Sequence, residues 1–153
     1  MAGAGGEWRG VTDAQPARYR LGYVPGAWDM FHIGHLNIIR RARENCERLV
    51  VGVVTDEALF AAKGKYPMVP LEERMEIVRA LAMVDDVVVD FSSDKREVWE
   101  RVRFDVLFKG DDWKGTPKGE RLEAAMESVG VTVFYFPYTA HTSSTVLRRV
   151  LGG

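Results

Sequence analysis

The sequence of 153 residues is poor in the groups that build covalent cross-links and metal clusters. It contains one cysteine, Cys46, and three histidines. A single cysteine excludes an intramolecular disulfide and a thiolate metal cluster, and no other ligand set for a protein-built metal cage is evident. We therefore expect no metal site made by the protein alone. Cys46 falls on the apolar stripe of a predicted helix, which favours a place in the core.

Two further absences limit the location and the partners of the protein. No apolar run approaches the roughly 20 residues of a membrane span, and residues 1–20 lack the apolar stretch of a signal peptide. The net charge is −1, and the one basic cluster, residues 40–43, suits the C-terminal end of a helix. We therefore expect a cytoplasmic protein that has neither a membrane nor a nucleic-acid partner.

The rest of the chain has the composition and length of one globular domain. Residues 1–18 are rich in Gly and Ala, so we expect a disordered tail there and a domain over 19–153. Apolar and periodicity signals predict strands at 21–24, 48–55, 86–90, 105–109 and 131–136. They predict helices at 36–46, 56–62, 70–84, 95–103, 120–129 and 143–151.

This alternation predicts an α/β, Rossmann-like open parallel sheet of about five strands with helices on both faces. Right-handed crossovers put the first strand near the middle, and we predict the strand order 3-2-1-4-5. Ligands of such folds bind beyond the carboxyl ends of the strands. The unusual residues lie in three loops that follow such ends, 25–35, 109–119 and 137–145, and we expect these loops to converge.

The first loop carries two of the three histidines, His32 and His35, on either side of Gly34. Gly26 permits a close turn, and Gly34 lets a ligand approach the backbone. The N–H groups and dipole of a helix start favour anions. Two imidazoles there are suited to holding a phosphate chain while one phosphorus atom is attacked. The alternative is a pair of ordinary helix-cap histidines.

Residues 32–35 resemble the His-x-Gly-His signature of the nucleotidyltransferase superfamily. Within it, the chain is most similar to the small cytidylyltransferases, typified by the glycerol-3-phosphate, choline-phosphate and ethanolamine-phosphate enzymes. The resemblance runs from about Tyr19 to Leu151 and includes segments 50–57, 63–64, 72–74, 84–87, 110–113 and 143–145. Class I tRNA synthetases share His-x-Gly-His, but their Lys-Met-Ser-Lys-Ser motif is absent here.

The resemblance implies that an acceptor phosphate attacks the α-phosphorus of CTP and releases pyrophosphate. A phosphate monoester, with a second pKa of about 6, is already anionic near neutral pH, so the reaction needs no activating base. Catalysis then rests on positioning and on stabilising charge, with His32 and His35 as donors to the α- and β-phosphates. The family also implies Mg²⁺ with the triphosphate, and a homodimer.

The resemblance assigns roles to further residues. Lys63, in a loop before Gly64, is implied to be a mobile catalytic cation. Lys65 is the alternative to it and an acceptor contact. Arg74 is implied to be a catalytic arginine. Nucleotide contacts are implied for Gly26, Trp28, Asp29, Gly34, Gly110, Asp112, Trp113, Ser143, Ser144 and Thr145. Each role has a structural alternative. Lys63 would be a solvated surface lysine, Arg74 an exposed helix arginine and Trp113 a packed loop aromatic. Residues 143–145 would be a helix cap.

The chain departs from the family before its last predicted helix. Where the glycerol- and choline-phosphate enzymes have Arg-Thr-Glu-Gly-Ile-Ser-Thr, residues 138–144 read Tyr-Thr-Ala-His-Thr-Ser-Ser. Tyrosine in place of arginine removes a fixed charge and a bidentate fork. We therefore expect a small phosphate or phosphonate acceptor that differs from glycerol phosphate, with Tyr138 and His141 as acceptor contacts; for His141 a surface position is the alternative.

Two other functions remain open at this stage. One is an adenylyltransferase of the same fold that uses ATP, because sequence does not reveal the backbone contacts that select the base. The other is a catalytically silent, nucleotide-binding regulatory module, which the change at Tyr138 would suit.

Overall fold

A computed structural model describes residues 18–137 and 149–152. Its strands are β1 (Tyr19–Gly26), β2 (Cys46–Val54), β3 (Asp86–Asp90), β4 (Val106–Gly110) and β5 (Thr132–Phe136). The helices within the described residues are α1 (Ile33–Glu44), α2 (Asp56–Lys63), α3 (Leu71–Arg79), α4 (Lys95–Val102) and α5 (Pro117–Glu127), with a 3₁₀ turn at Asp111–Trp113. The predicted tail and most of the predicted helix 143–151 lie outside the described residues.

All strand pairs are parallel, and the sheet order is β3-β2-β1-β4-β5. This is the predicted order 3-2-1-4-5. The chain passes from β3 at one edge to β4 on the other side of β1, so the strand order reverses between β1 and β4. A ligand crevice is expected beyond the carboxyl ends of these two strands.

Helices cover both faces of the sheet and divide the core in two. One core cluster joins Val24, Val51 and Phe108 to Ile39 of α1 and Val78 of α3. The second cluster lies on the opposite face and contains Tyr23, Leu107, Val98, Leu122 and Met126, the last three from α4 and α5. No helix in the described part of the chain is long and apolar enough to cross a bilayer.

Several predicted boundaries were wrong. Cys46 is not helical: α1 ends at Glu44, and Cys46 opens β2 by pairing with Tyr19 of β1, although it is buried as expected. The predicted helix 70–84 stops at Arg79, and successive turns follow it. The predicted loop 110–119 is shorter, because Thr116 caps α5 and Pro117 is its first residue.

Candidate active site

The turn between β1 and α1 is held in a strained conformation by Trp28. The φ angles of Trp28 and Met30 are 54° and 49°, in the left-handed region that non-glycine residues seldom adopt. The Trp28 indole donates to the carbonyl of Gly52 at 2.9 Å and covers Gly26, where a Cβ would lie 2.7 Å from Trp28 Cε2. Because Trp28 is only 4% exposed, it shapes the turn from the core. The nucleotide contact predicted for Trp28 stays a prediction.

His32 and His35 cap the start of α1 reciprocally. His32 Nδ1 accepts the Gly34 N–H at 3.1 Å, and His35 Nδ1 accepts the His32 N–H at 3.2 Å. This is the hydrogen-bond pattern of a capping box, built here from two imidazoles. A ring nitrogen that accepts an N–H carries no proton, so a neutral imidazole in this position has its proton on Nε2. Each ring therefore keeps an Nε2–H donor that makes no hydrogen bond to a described residue.

Both imidazoles are neutral near pH 7. Burial lowers the pKa of His32. Burial, and then the neighbouring His32, lower the pKa of His35 from 6.5 to about 3, although the Asp29 carboxylate opposes this. The two rings stack with centroids 3.8 Å apart, and His35 also contacts the rings of Trp28 and Phe31. The pair therefore offers two uncharged donors at the positive end of a helix dipole.

Asp29 ties this turn to the segment that precedes α3. Its two carboxylate oxygens accept the backbone N–H groups of Met68 and Val69, each at 2.9 Å. The side chain is almost completely buried. Asp29, predicted as a nucleotide contact, thus holds the histidine turn in place through the backbone.

Arg74 makes the second tie between the same segments. Its guanidinium donates to the carbonyls of Val69, Ala27 and Val54, each at 2.8 Å, and to the carboxylate of Asp56. The side chain is 0% exposed. Arg74 was predicted to be catalytic, but a fully buried guanidinium with these partners acts as a positioning residue.

The two predicted lysines are exposed. Lys63 is the last residue of α2 rather than a loop residue, because Gly64 ends the helix with a φ of 75°. The charge of Lys63 acts on Lys109, so its ammonium lies within electrostatic range of the end of β4. Lys65 lies in the segment that follows, with no hydrogen bond or ion pair to the described part of the chain.

The loop after β4 lies beside the histidine turn in the sheet order. Gly110 is buried, Asp112 is exposed, and Trp113 is half-buried. The Lys109 ammonium lies 4.0 Å from the centroid of the Trp113 ring, and that of Lys118 lies 5.7 Å from it. The structure thus brings two of the three predicted loops to one edge of the sheet.

The third predicted loop falls outside the described residues. It contains Tyr138, His141, Ser143, Ser144 and Thr145, so the contacts expected for these five residues stay predictions.

Sequence reasoning missed four polar side chains at the same edge: Tyr23, Asp90, Lys95 and Lys109. Tyr23 and Lys95 both donate to Asp90, at 2.6 and 2.8 Å. A signal was present for two of them. Lys109 interrupts the apolar run of β4 one residue before its end, and Asp90 closes β3. A charged residue at the carboxyl end of a buried strand is unusual unless it serves a site or is paired.

Known proteins with similar sequences are nucleotidyltransferases. Residues 23–150 match the family described as cytidylyltransferase-like. The chain is 37% identical over 128 residues to the ethanolamine-phosphate cytidylyltransferase of Arabidopsis thaliana, which covers 80% of this chain and 30% of that protein. It is 33% identical over 133 residues to the FAD synthase of Pyrococcus abyssi, which covers 82% and 88%. The chain therefore spans less than a third of the plant enzyme and most of the archaeal one.

Solved structures share the fold. The lipopolysaccharide core biosynthesis protein of Thermoplasma volcanium superposes with a TM-score of 0.67 at 22% identity, over 79% of this chain and 97% of that one. Pantoate-beta-alanine ligase of Francisella tularensis superposes with a TM-score of 0.58 at 12% identity, over 94% and 73%. At these identities the likeness concerns the fold alone.

The neutral state of His35 predicts how stability depends on pH. The folded pKa of about 3 lies below the ordinary 6.5, so between these values the unfolded chain binds a proton that the folded chain refuses. Stability is therefore lost as the pH falls below 6.5, by up to about 2 kcal/mol at pH 5 from this group. His35→Gln keeps a standard capping-box acceptor and cannot titrate.

Urea unfolding of both proteins between pH 7.5 and pH 5 measures this difference. The wild type should lose stability more steeply than His35→Gln, while the carboxylates common to both contribute equally. Parallel pH dependences would contradict a neutral, buried His35.

The contacts of Arg74 predict a structural loss when it is removed. Arg74→Ala leaves three carbonyl oxygens and the Asp56 carboxylate without their donor, so the free energy of unfolding should fall by about 3–5 kcal/mol. Arg79→Ala, on the exposed face of the same helix, is the matched control and should change it by about 0.5 kcal/mol or less. Inactive Arg74→Ala protein of wild-type stability would instead indicate a direct substrate contact.

Proposed function

The chain belongs to the cytidylyltransferase-like family of the nucleotidyltransferase superfamily, and we propose that it transfers CMP from CTP to a small phosphate or phosphonate acceptor, releasing pyrophosphate. The observation that carries the proposal is the reciprocal cap of His32 and His35. It fixes two neutral Nε2–H donors at a helix start, beyond the central strand of the sheet. Such donors can bind phosphate oxygens at any pH at which the protein is folded and the rings are neutral.

The proposed chemistry needs little from the protein beyond geometry and donors. An acceptor oxygen, already anionic near neutral pH, forms a bond to the α-phosphorus of CTP. The bond from that phosphorus to the bridging oxygen breaks, and pyrophosphate leaves with the electron pair. His32 and His35 donate to the oxygens of the triphosphate, where charge develops, and the N-terminal dipole of α1 adds to this stabilisation. No base or covalent intermediate is required.

The remaining predicted contacts are part of the proposal. Lys63 would neutralise phosphate charge from the end of α2, and the loop of Asp112 and Trp113 would line the nucleotide pocket. Tyr138, His141 and the hydroxyls of residues 143–145 remain proposed contacts. We also propose a homodimer, which the family resemblance implies.

Mg²⁺ is proposed as the companion of the triphosphate. No group of three or more His, Cys, Asp or Glu side chains suited to a metal ion occurs in residues 18–137 and 149–152. Mg²⁺ is commonly held by substrate phosphates with few protein ligands, so this donor set fits an ion carried by the nucleotide. When bound, the ion would neutralise part of the triphosphate charge.

A second candidate is adenylyl transfer from ATP. It is favoured by the similarity to the Pyrococcus abyssi FAD synthase, of which this chain spans 88%, because FAD contains adenine rather than cytosine. The imidazole pair would serve both nucleotides equally, since it addresses the phosphates and not the base.

Pyrophosphate release measured with four nucleoside triphosphates against a panel of small phosphates and phosphonates tests the proposal. We expect turnover with CTP and at least one acceptor. His35→Gln, which retains the cap, should lower kcat by about 10²–10³ because it lacks the imidazole donor. Preference for ATP would favour the second candidate. CTP binding without turnover of any acceptor would contradict both and leave a regulatory module.

A further inference from the structure

Three lysine side chains interact electrostatically near the carboxyl end of β4. They come from separate elements: Lys63 ends α2, Lys95 begins α4 and Lys109 lies in β4. The positive charges of Lys95 and Lys63 both act on Lys109, so both ammonium groups lie within electrostatic range of it. Three like charges are stable together only where anions compensate them.

Lys95 has its own internal anion. Its ammonium donates to Asp90 Oδ1 at 2.8 Å and to the Ser92 carbonyl at 3.0 Å, while the Tyr23 hydroxyl donates to Asp90 Oδ2 at 2.6 Å. Burial raises the pKa of Tyr23, and the charge of Asp90 raises it further, so the phenol stays a donor. A Cβ at position 52 would lie 1.8 Å from the Tyr23 hydroxyl. Gly52, which has no Cβ, therefore leaves room for the phenol. Both oxygens of Asp90 are thus occupied.

Within residues 18–137 and 149–152, Lys109 has no such partner. Its side chain is half-buried, its ammonium faces the ring of Trp113 at 4.0 Å, and it has no hydrogen bond or ion pair to any residue that the structure describes. Burial is the main cause that lowers the pKa of Lys109 to about 8; the charge of Asp112 opposes it, Lys95 and Lys63 lower the pKa further, and Asp90 raises it. A partly buried cation that makes no hydrogen bond or ion pair is unfavourable, and a bound anion would relieve it.

The position of Lys109 relative to the histidine turn indicates which anion this is. Lys109 shares a face of the sheet with Leu107, which lies two residues before it and belongs to the core under α4 and α5. The helix α1 packs on the opposite face through Ile39 and Ala42. In-line phosphoryl transfer requires the attacking and leaving oxygens on opposite sides of the phosphorus atom. The imidazoles, at the start of α1, and Lys109 belong to opposite faces of the sheet at its carboxyl edge.

We propose that Lys109, with Lys63 beside it, binds the phosphate or phosphonate group of the acceptor and holds it across the reaction centre from His32 and His35. The role in transfer rests on the proposed function, whereas the anion site itself does not. Trp113 positions the ammonium, and Asp90 keeps Lys95 from competing for the anion. Both features would make the site selective for a small anionic group that reaches Lys109.

Binding of methylphosphonate, measured by isothermal titration calorimetry, tests the site without turnover. Lys109→Met keeps an unbranched side chain against Trp113 and removes the charge, so we expect about tenfold to a hundredfold weaker binding at pH 7. Lys109→Arg should bind nearly as well as the wild type. Lys118→Met removes the other lysine near the same ring and should have no effect. The same titration of His35→Gln shows whether methylphosphonate binds at the imidazoles instead of at Lys109.

The pH dependence adds a second readout. Wild-type affinity for methylphosphonate should fall as the pH rises through about 8, because the free Lys109 ammonium loses its proton there. Lys109→Arg should retain its affinity at that pH, since the guanidinium stays charged. The other groups near Lys109, namely Lys63, Lys95, Asp90 and Asp112, are common to both proteins.

Three results would overturn the proposal: no measurable binding by the wild type, equal binding by Lys109→Met, or a loss in His35→Gln that Lys109→Met does not share. Turnover of CTP with an unchanged acceptor KM in Lys109→Met would also overturn it and leave the proposed function standing. Lys109-dependent binding of methylphosphonate without turnover of any nucleotide would support the anion site and count against the proposed function.

Discussion

The reciprocal hydrogen bonding of His32 and His35 is the interaction on which the site depends. Each imidazole accepts a backbone N–H at the start of α1 through Nδ1. Nδ1 therefore caps the helix, and the Nε2–H of the same ring is left to bind phosphate. The cap fixes the tautomer, burial keeps the rings neutral, and stacking fixes their spacing. A helix start that already favours anions thereby gains two directed donors.

The charged residues around this turn serve mainly to hold it. Asp29 accepts two backbone N–H groups, and Arg74 donates to three carbonyls. Both side chains are buried, and they join the turn after β1 to the segment before α3. Positioning of this kind is what a reaction without a protein nucleophile requires, because its rate rests on the placement of phosphate groups relative to fixed donors. In the proposed function, exposed cations such as Lys63 then contact the substrate.

The sequence was sufficient for the order of the strands and for most elements. The apolar signal over residues 48–55 predicted a strand, which the structure has as β2, and the alternation of strands with helices predicted the sheet order. The sequence was insufficient where tertiary contacts determine the backbone conformation or the direction of a side chain. Cys46 fits a helical stripe, yet pairing with Tyr19 makes it the first residue of a strand. Trp28 and Arg74 lie in motifs that suggest substrate contact, and only the fold shows that both are turned inward. Lys109 lacks a motif, so its proposed role depends on neighbours from four other elements.

The central claim is that both imidazoles are neutral and carry their proton on Nε2. Long-range ¹H–¹⁵N correlation spectra of the protein labelled with ¹⁵N-histidine measure this directly, with the third histidine assigned by substitution of His141. At pH 7 the account predicts the neutral Nε2–H pattern for His32 and His35, and for His35 the same pattern at pH 5. An imidazolium, or a proton on Nδ1 of either ring, would contradict it.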